Sequence, residues 1–263
     1  MWIRDGRELF QDAFRRGYAL PAFNVASLEM IQACLRAAEA LRAPVVLQTY
    51  REEVRRVAPE AFAAMVRALA ERVRVPVLLH LDHGGSLEEV FRALRAGYGS
   101  AMWDAQGMGI GKVAEGVARV APLVHGMGAA LEVAAEGFSG EERSRPEEVA
   151  ALLQAGADVV AVAVGSRHGE ESRLDLPLLA RIREEARGPF ALHGGSGIPP
   201  EDLEAAVRLG VVKVNVGTAL YRSLRALLGR PWEHHRLFYK VVEEELMKVA
   251  EVYIRRTQAE GKA

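Results

Sequence analysis

At 263 residues with 50% hydrophobic content, the chain is long enough to bury a large core, and one domain spanning 1–263 is expected. Lys plus Arg (34) nearly balance Asp plus Glu (35), and a net charge of -1 excludes the basic field that would gather nucleic acid or anionic lipid, so a small molecule is the expected partner. The single cysteine, Cys34, excludes an internal disulfide; the amino terminus lacks the apolar core of a signal peptide and no run of about 18 apolar residues is free of charge, so a cytoplasmic location without a membrane partner is expected.

Short apolar runs rich in Val, Ala and Leu alternate with longer amphipathic stretches, as in parallel strands joined by crossover helices. The first strand is predicted at 20–25, followed by a helix over 28–41. A second strand at 44–48 leads to a helix over 59–73. Strands at 75–81 and 100–103 flank a helix over 87–96 that stops at Gly97, and strands at 128–133 and 159–164 flank a helix over 146–155 that stops at Gly156. The seventh strand, 190–193, precedes a helix over 200–209 ending at Gly210, and the eighth occupies 211–216. Eight repeats of roughly 30 residues predict an α/β fold of the (β/α)8 TIM-barrel type, an open doubly wound sheet being the lesser alternative. After the eighth strand, 218–228 and 231–256 read as two extra C-terminal helices, the second strongly charged.

In such barrels, side chains at the carboxyl ends of strands converge on one face, so polar residues just after apolar runs are the candidates for chemistry. His83 follows the third strand in His80-Leu81-Asp82-His83-Gly84, His168 follows the sixth in Gly165-Ser166-Arg167-His168-Gly169, and His193 closes the seventh before Gly194-Gly195-Ser196-Gly197. Each alone is more often a packed residue than a ligand. Together they offer three imidazoles with room for a fourth ligand, which is what a catalytic zinc needs to polarise a carbonyl. Of the other histidines, His80 alternates away from the barrel end, His125 sits at a helix terminus, and His234 and His235 lie beyond the last strand. The glycines and hydroxyls after strands seven and eight, in 194–197 and in Asn215-Val216-Gly217-Thr218, could cradle a phosphate on backbone amides, with Ser196 and Thr218 donating.

These strings, with Pro21-Ala22-Phe23-Asn24-Val25, Ala43-Pro44-Val45-Val46-Leu47-Gln48 and Lys213-Val214-Asn215, resemble the class II (zinc-dependent) fructose-bisphosphate and tagatose-bisphosphate aldolases over nearly the whole chain. The resemblance implies reversible cleavage of a ketose phosphate, first of all fructose 1,6-bisphosphate, to dihydroxyacetone phosphate and an aldehyde, by a homodimer or homotetramer. It implies that His83, His168 and His193 bind Zn2+, with another divalent metal as the alternative ion, and it leaves room for a monovalent cation besides. Asn24, Gly169, Gly194, Ser196, Asn215, Gly217 and Thr218 would hold the phosphorylated sugar. Asp82, Asn215 and Glu142 would take part in catalysis, Asp82 as proton donor to the aldehyde oxygen and Glu142, in Gly140-Glu141-Glu142, as the base for the C1 proton. The plainer alternatives are that Asp82 only orients a ligand and that Glu142 is solvated surface.

Three positions depart from the family pattern. Glu132-Val133-Ala134 lacks a second glutamate, which weakens Asp104 and Glu132 as ligands of a second or displaced metal position. Glu170-Glu171-Ser172 stands where a phosphate-binding lysine is common, so Arg167 or Arg173 would have to compensate, and Tyr50 replaces a serine near the substrate. Two rival readings remain: a Schiff-base aldolase using Lys213, two residues before Asn215 and on the same face, and a non-catalytic barrel that keeps the metal and sugar-phosphate pocket.

Overall fold

The computed structural model describes residues 1–105, 107–135, 143–167 and 169–263. In chain order these form β1 (Trp2–Ile3), α1 (Gly6–Arg16), β2 (Leu20–Asn24), α2 (Leu28–Ala40), β3 (Val45–Tyr50), α3 (Arg51–Arg56), α4 (Pro59–Ala70), β4 (Val77–Gly84), α5 (Leu87–Ala96), β5 (Ser100–Trp103), α6 (Ile110–Gly126), β6 (Ala130–Ala134), α7 (Pro146–Gln154), β7 (Val159–Ala161), α8 (Leu176–Ala186), β8 (Phe190–Leu192), a single 3-10 turn (Gly195–Gly197), α9 (Pro200–Arg208), β9 (Val211–Val216), α10 (Thr218–Leu228) and α11 (His235–Arg256). Strands β2 to β9 pair in parallel in the order β4-β3-β2-β9-β8-β7-β6-β5, and β5 pairs back to β4. The sheet is thereby closed into the eight-stranded (β/α)8 barrel that the sequence predicts.

Each predicted strand is present, with shifted ends: the strand predicted at 159–164 stops at Ala161, and the one predicted to end at Leu81 runs on to Gly84 through a register shift against β5. Helix starts follow local chemistry. Ser27, Ser86 and Asp175 accept from the backbone N–H of Met30, Glu89 and Leu178, and Gly97 ends α5 at a φ of 109°. The helix predicted from 231 begins at His235, whose preceding residue His234 accepts from Arg236 N–H.

Strand β1 and helix α1 are not among the elements predicted from the sequence. Strand β1 adds to the amino end of β4, with Trp2 opposite Val77. Helix α1 buries Leu9, Phe10 and Ala13 at the amino ends of the barrel strands. Gly6 N–H donates to Gly99 O at 2.9 Å, an approach that a Cβ at Gly6 would obstruct at 2.9 Å from that same oxygen. The buried apolar side chains form one hydrophobic cluster, and Cys34 within it is fully buried, its thiol pushed up by that burial. No helix among the described residues is long and apolar enough to cross a membrane.

Candidate active site at the barrel mouth

Polar side chains are buried within the barrel as well as at its carboxyl end: Asn24, Gln48, His80, Asp82, Ser100, Glu132, His193, Lys213 and Asn215. A buried polar group is costly unless it is hydrogen-bonded, and these groups bond chiefly to one another. Asp82 is the centre of the upper layer. Its Oδ2 accepts from Asn24 Nδ2 at 2.8 Å and Gln48 Nε2 at 3.2 Å, and its Oδ1 accepts from Asn215 Nδ2 at 3.1 Å. Burial works against a charge on Asp82, but Lys213 and the neighbouring histidines outweigh it and hold the carboxyl below its ordinary range.

Alternation along a strand would send Asp82 and His83 to opposite faces. His83 instead adopts a φ of 55°, at the register shift between Leu81 and Gly84, and both side chains serve the same cavity. Gly84 permits this, since a Cβ there would lie 2.9 Å from Met102 O. A left-handed non-glycine residue costs about 1–2 kcal/mol, so the surrounding contacts must hold it. His83 Nδ1 lies 3.0 Å from Asp104 Oδ2, and its ring meets those of Tyr50 and His193 edge-on, with centroids 5.5 and 4.9 Å away.

His193 follows β8, and its Nε2 lies 3.1 Å from Glu132 Oε1. Ligand atoms of Asp82, His83 and His193 all fall within 4.8 Å of one another. Each imidazole is thus braced by a carboxylate, the arrangement that orients metal-binding histidines, and two nitrogens with carboxylate oxygen form a donor set suited to zinc. His168 and Glu142 lie outside the described residues.

A cavity of about 410 Å³ opens above these residues, within the range of small-molecule sites. One wall carries Gly194, Ser196, Gly217 and Thr218, and Asn24, Asp82, His83, Asp104 and Asn215 line the floor. Gly194 has a φ of 68°, and Ser196 Oγ accepts from Ala219 N–H at the start of α10, tying the 3-10 turn to that helix. Gly217 sits where a Cβ would press on Asn24 Oδ1 at 3.0 Å, and Gly169, at a φ of 77°, faces Thr218. Glycines at these points leave backbone amides approachable by an anion.

A second wall, not predicted from the sequence, is formed by Arg51 and Glu53 of α3 and Tyr221 of α10. The first two follow the end of β3 and could have been found by the same strand-end rule; Tyr221 stands three residues past Thr218, one helical turn along. Burial raises the Glu53 carboxyl above its usual range, with Glu52 and Asp82 adding to the shift. At the departures noted above, Ala134 is buried and provides no donor atom, and Tyr50 lines the cavity. Arg173 is drawn to Glu201 at 2.6 Å, whereas a cation the sequence did not suggest, Arg222, donates to Gly169 O.

His80 does stay off the barrel mouth, but it shares the inward face of Asp82 one layer deeper. Its Nδ1 lies 2.9 Å from Ser100 Oγ and its Nε2 3.7 Å from Glu132 Oε2. Burial, reinforced by Lys213, lowers its pKa to about 3. The unfolded chain takes up a proton at this residue below its ordinary value of 6.5 and the folded chain does not, so stability is lost as pH falls from there. Between pH 7 and 4.5, urea denaturation is expected to show wild type losing about 2–3 kcal/mol more than His80→Gln. Equal losses in the two proteins would contradict a neutral, buried His80.

Three comparisons with known proteins bear on this site. The family model described as fructose-bisphosphate aldolase class-II matches residues 4–262. The fructose-bisphosphate aldolase of Thermus caldophilus is 33% identical over 261 residues, covering 85% of each chain, and that of Streptococcus pneumoniae is 35% identical over 236 residues, covering 83% of this chain and 80% of its own. Among solved structures, the YdjI aldolase of Escherichia coli K12 superposes with a TM-score of 0.90 at 28% identity over the full length of both chains. The fructose-bisphosphate aldolase of Campylobacter jejuni, 23% identical with a TM-score of 0.87 over 100% of this chain and 97% of its own, shares the fold. With a family model matched from end to end and relatives of this identity and coverage, the chain belongs to the class II fructose-bisphosphate aldolase family.

Proposed function

We propose that this chain cleaves a ketose phosphate reversibly, with fructose 1,6-bisphosphate as the first substrate to examine, giving dihydroxyacetone phosphate and an aldehyde. The observation that carries this is a carboxylate, Asp82, fixed by three amide donors within ligand distance of two carboxylate-braced imidazoles. His83, His193 and, by family resemblance, His168 would hold a zinc ion, with Asp104 and Glu132 orienting two of them. A zinc ion there would polarise the ketone carbonyl and stabilise the negative charge left when the carbon–carbon bond breaks.

Asp82, held ionised, takes the proton of the C4 hydroxyl as that bond breaks, and in the reverse direction the same carboxyl returns it to the aldehyde oxygen. Asn24, Gln48 and Asn215 hold the carboxylate in line for this transfer. Glu142 supplies the proton to C1 of dihydroxyacetone phosphate, the carbon freed when the bond breaks, and removes it in the reverse direction, and Gly169, Gly194, Ser196, Gly217 and Thr218 receive the phosphate. We further assign the chain to the cytoplasm as one domain that works as a homodimer or homotetramer, without a nucleic-acid or membrane partner.

The Schiff-base alternative meets a physical obstacle. Lys213 is fully buried, its Nζ within 2.9 Å of Glu132 and 2.8 Å of Asn215 Oδ1, so its amine is neither exposed nor free to attack a ketone. Release of dihydroxyacetone phosphate from fructose 1,6-bisphosphate is therefore expected, and borohydride added with substrate is expected to leave it intact. Inactivation with a covalent adduct on Lys213 would overturn the assignment. Binding of the sugar phosphate without any cleavage would favour the non-catalytic barrel.

A further inference from the structure

Beneath the cavity floor, a single ammonium joins both halves of the proposed machinery. Lys213 on β9 is fully buried and its Nζ has two kinds of partner. On one side it lies 3.1 and 2.9 Å from the two oxygens of Glu132, whose Oε1 also meets His193 Nε2 at 3.1 Å. On the other it donates to Asn215 Oδ1 at 2.8 Å, and Asn215 turns its amide N–H to Asp82 Oδ1 at 3.1 Å. The two chains of contacts leave the same atom and end on an imidazole of the metal-ligand set and on the proton-transferring carboxylate.

Chemistry fixes the direction of each contact. An ammonium has three donors and no acceptor, so its bond to Asn215 selects the amide oxygen and turns the NH2 group toward Asp82. With the ammonium 2.9 and 3.1 Å from its two oxygens, Glu132 stands as the carboxylate partner of an ion pair and can only accept, which makes His193 Nε2, 3.1 Å away, the protonated nitrogen and fixes the tautomer. Without the ammonium, the Asn215 amide could flip and Glu132 would be an uncompensated buried charge.

We propose that Lys213 is a positioning residue that sets the His193 tautomer through Glu132 and the Asp82 hydrogen bond through Asn215, so that metal affinity and proton transfer share one buried anchor. This rests on the aldolase reading for its Asp82 arm alone. The His193 arm is read from zinc binding without substrate.

Two variants separate the arms. Lys213→Met keeps the length of the side chain and removes the charge; zinc affinity, measured by competition with a chromophoric chelator, is expected to fall about 10–100-fold, and cleavage turnover with it. Lys213→Met combined with Glu132→Gln leaves no buried charge unpaired, so the barrel can fold even if the single variant does not, and an amide oxygen remains to accept from His193. In this double variant, zinc affinity is expected to return to within a few-fold of wild type. Turnover at saturating zinc stays at least tenfold low while KM is little changed, because Asn215 still lacks its anchor. Wild-type turnover in the zinc-loaded double variant would overturn the Asp82 arm, and wild-type zinc affinity in a folded Lys213→Met would overturn the His193 arm. Wild-type protein that binds zinc but cleaves no ketose phosphate would sink the aldolase reading instead, and the affinity result would still decide the His193 arm.

Discussion

Asp82→Ala is expected to lower turnover of carbon–carbon cleavage by about 10²–10⁴-fold, the usual contribution of a placed acid–base group. The geometry makes this group hard to replace. Three amide donors, from Asn24, Gln48 and Asn215, converge on its two oxygens, so whatever stands at position 82 must accept from all of them. Asp82→Asn is nearly the same size but brings an NH2 group against that cluster of donors, so it is expected to lose both the proton transfer and at least one bond. Leaving buried donors unsatisfied costs about 1–3 kcal/mol, so thermal unfolding should accompany the kinetic assay to show that the variants are folded. Exchange of the C1 proton of dihydroxyacetone phosphate with solvent needs no proton moved at the aldehyde oxygen and should persist in both variants. Cleavage at near the wild-type rate in either one would show that Asp82 is not the proton carrier.

The second large effect concerns His83. Its replacement by Ala or Gly is expected to bring metal content and turnover down to those of chelated wild-type protein. The stability consequence runs the other way. His83 is held at a φ of 55°, a conformation that glycine adopts without the roughly 1–2 kcal/mol penalty of other residues. Thus His83→Gly should melt no lower than metal-free wild type although it has lost its bond to Asp104 and its ring contacts with Tyr50 and His193. A variant that kept full metal and full activity would remove His83 from the ligand set. One that lost activity by unfolding would show the bulge to be stabilised by the imidazole itself.

The barrel is legible in the sequence because parallel strands buried on both faces read as unbroken apolar runs, as at 159–164. Strand β1, two residues long, makes no pattern; α1 does carry one, with Leu9, Phe10 and Ala13 on one buried face between the Asp5 cap and Gly17, but it lies ahead of the first βα repeat. The site is legible where residues end a strand: Asp82, His193 and the glycines at 194–197 needed only that rule. The direction of His83 is not, because strict alternation would point it away from Asp82, and only the left-handed φ beside Gly84 brings it back. Nor is the role of Lys213, which in one dimension is an isolated lysine in a strand. Its partner Glu132 is 81 residues distant, and only barrel closure brings β6 and β9 to face each other across the interior. Ala134 shows the reverse case, a departure plain in the sequence, with the structure placing a buried methyl group at the end of β6.

Whether this barrel is a zinc aldolase is decided by metal content from elemental analysis of the purified protein, paired with cleavage of fructose 1,6-bisphosphate before and after chelation. Close to one zinc per chain is expected, with activity lost on chelation and regained when zinc is returned. Cleavage that persists undiminished in fully metal-free protein, or a chain that binds no divalent ion at all, would contradict that reading.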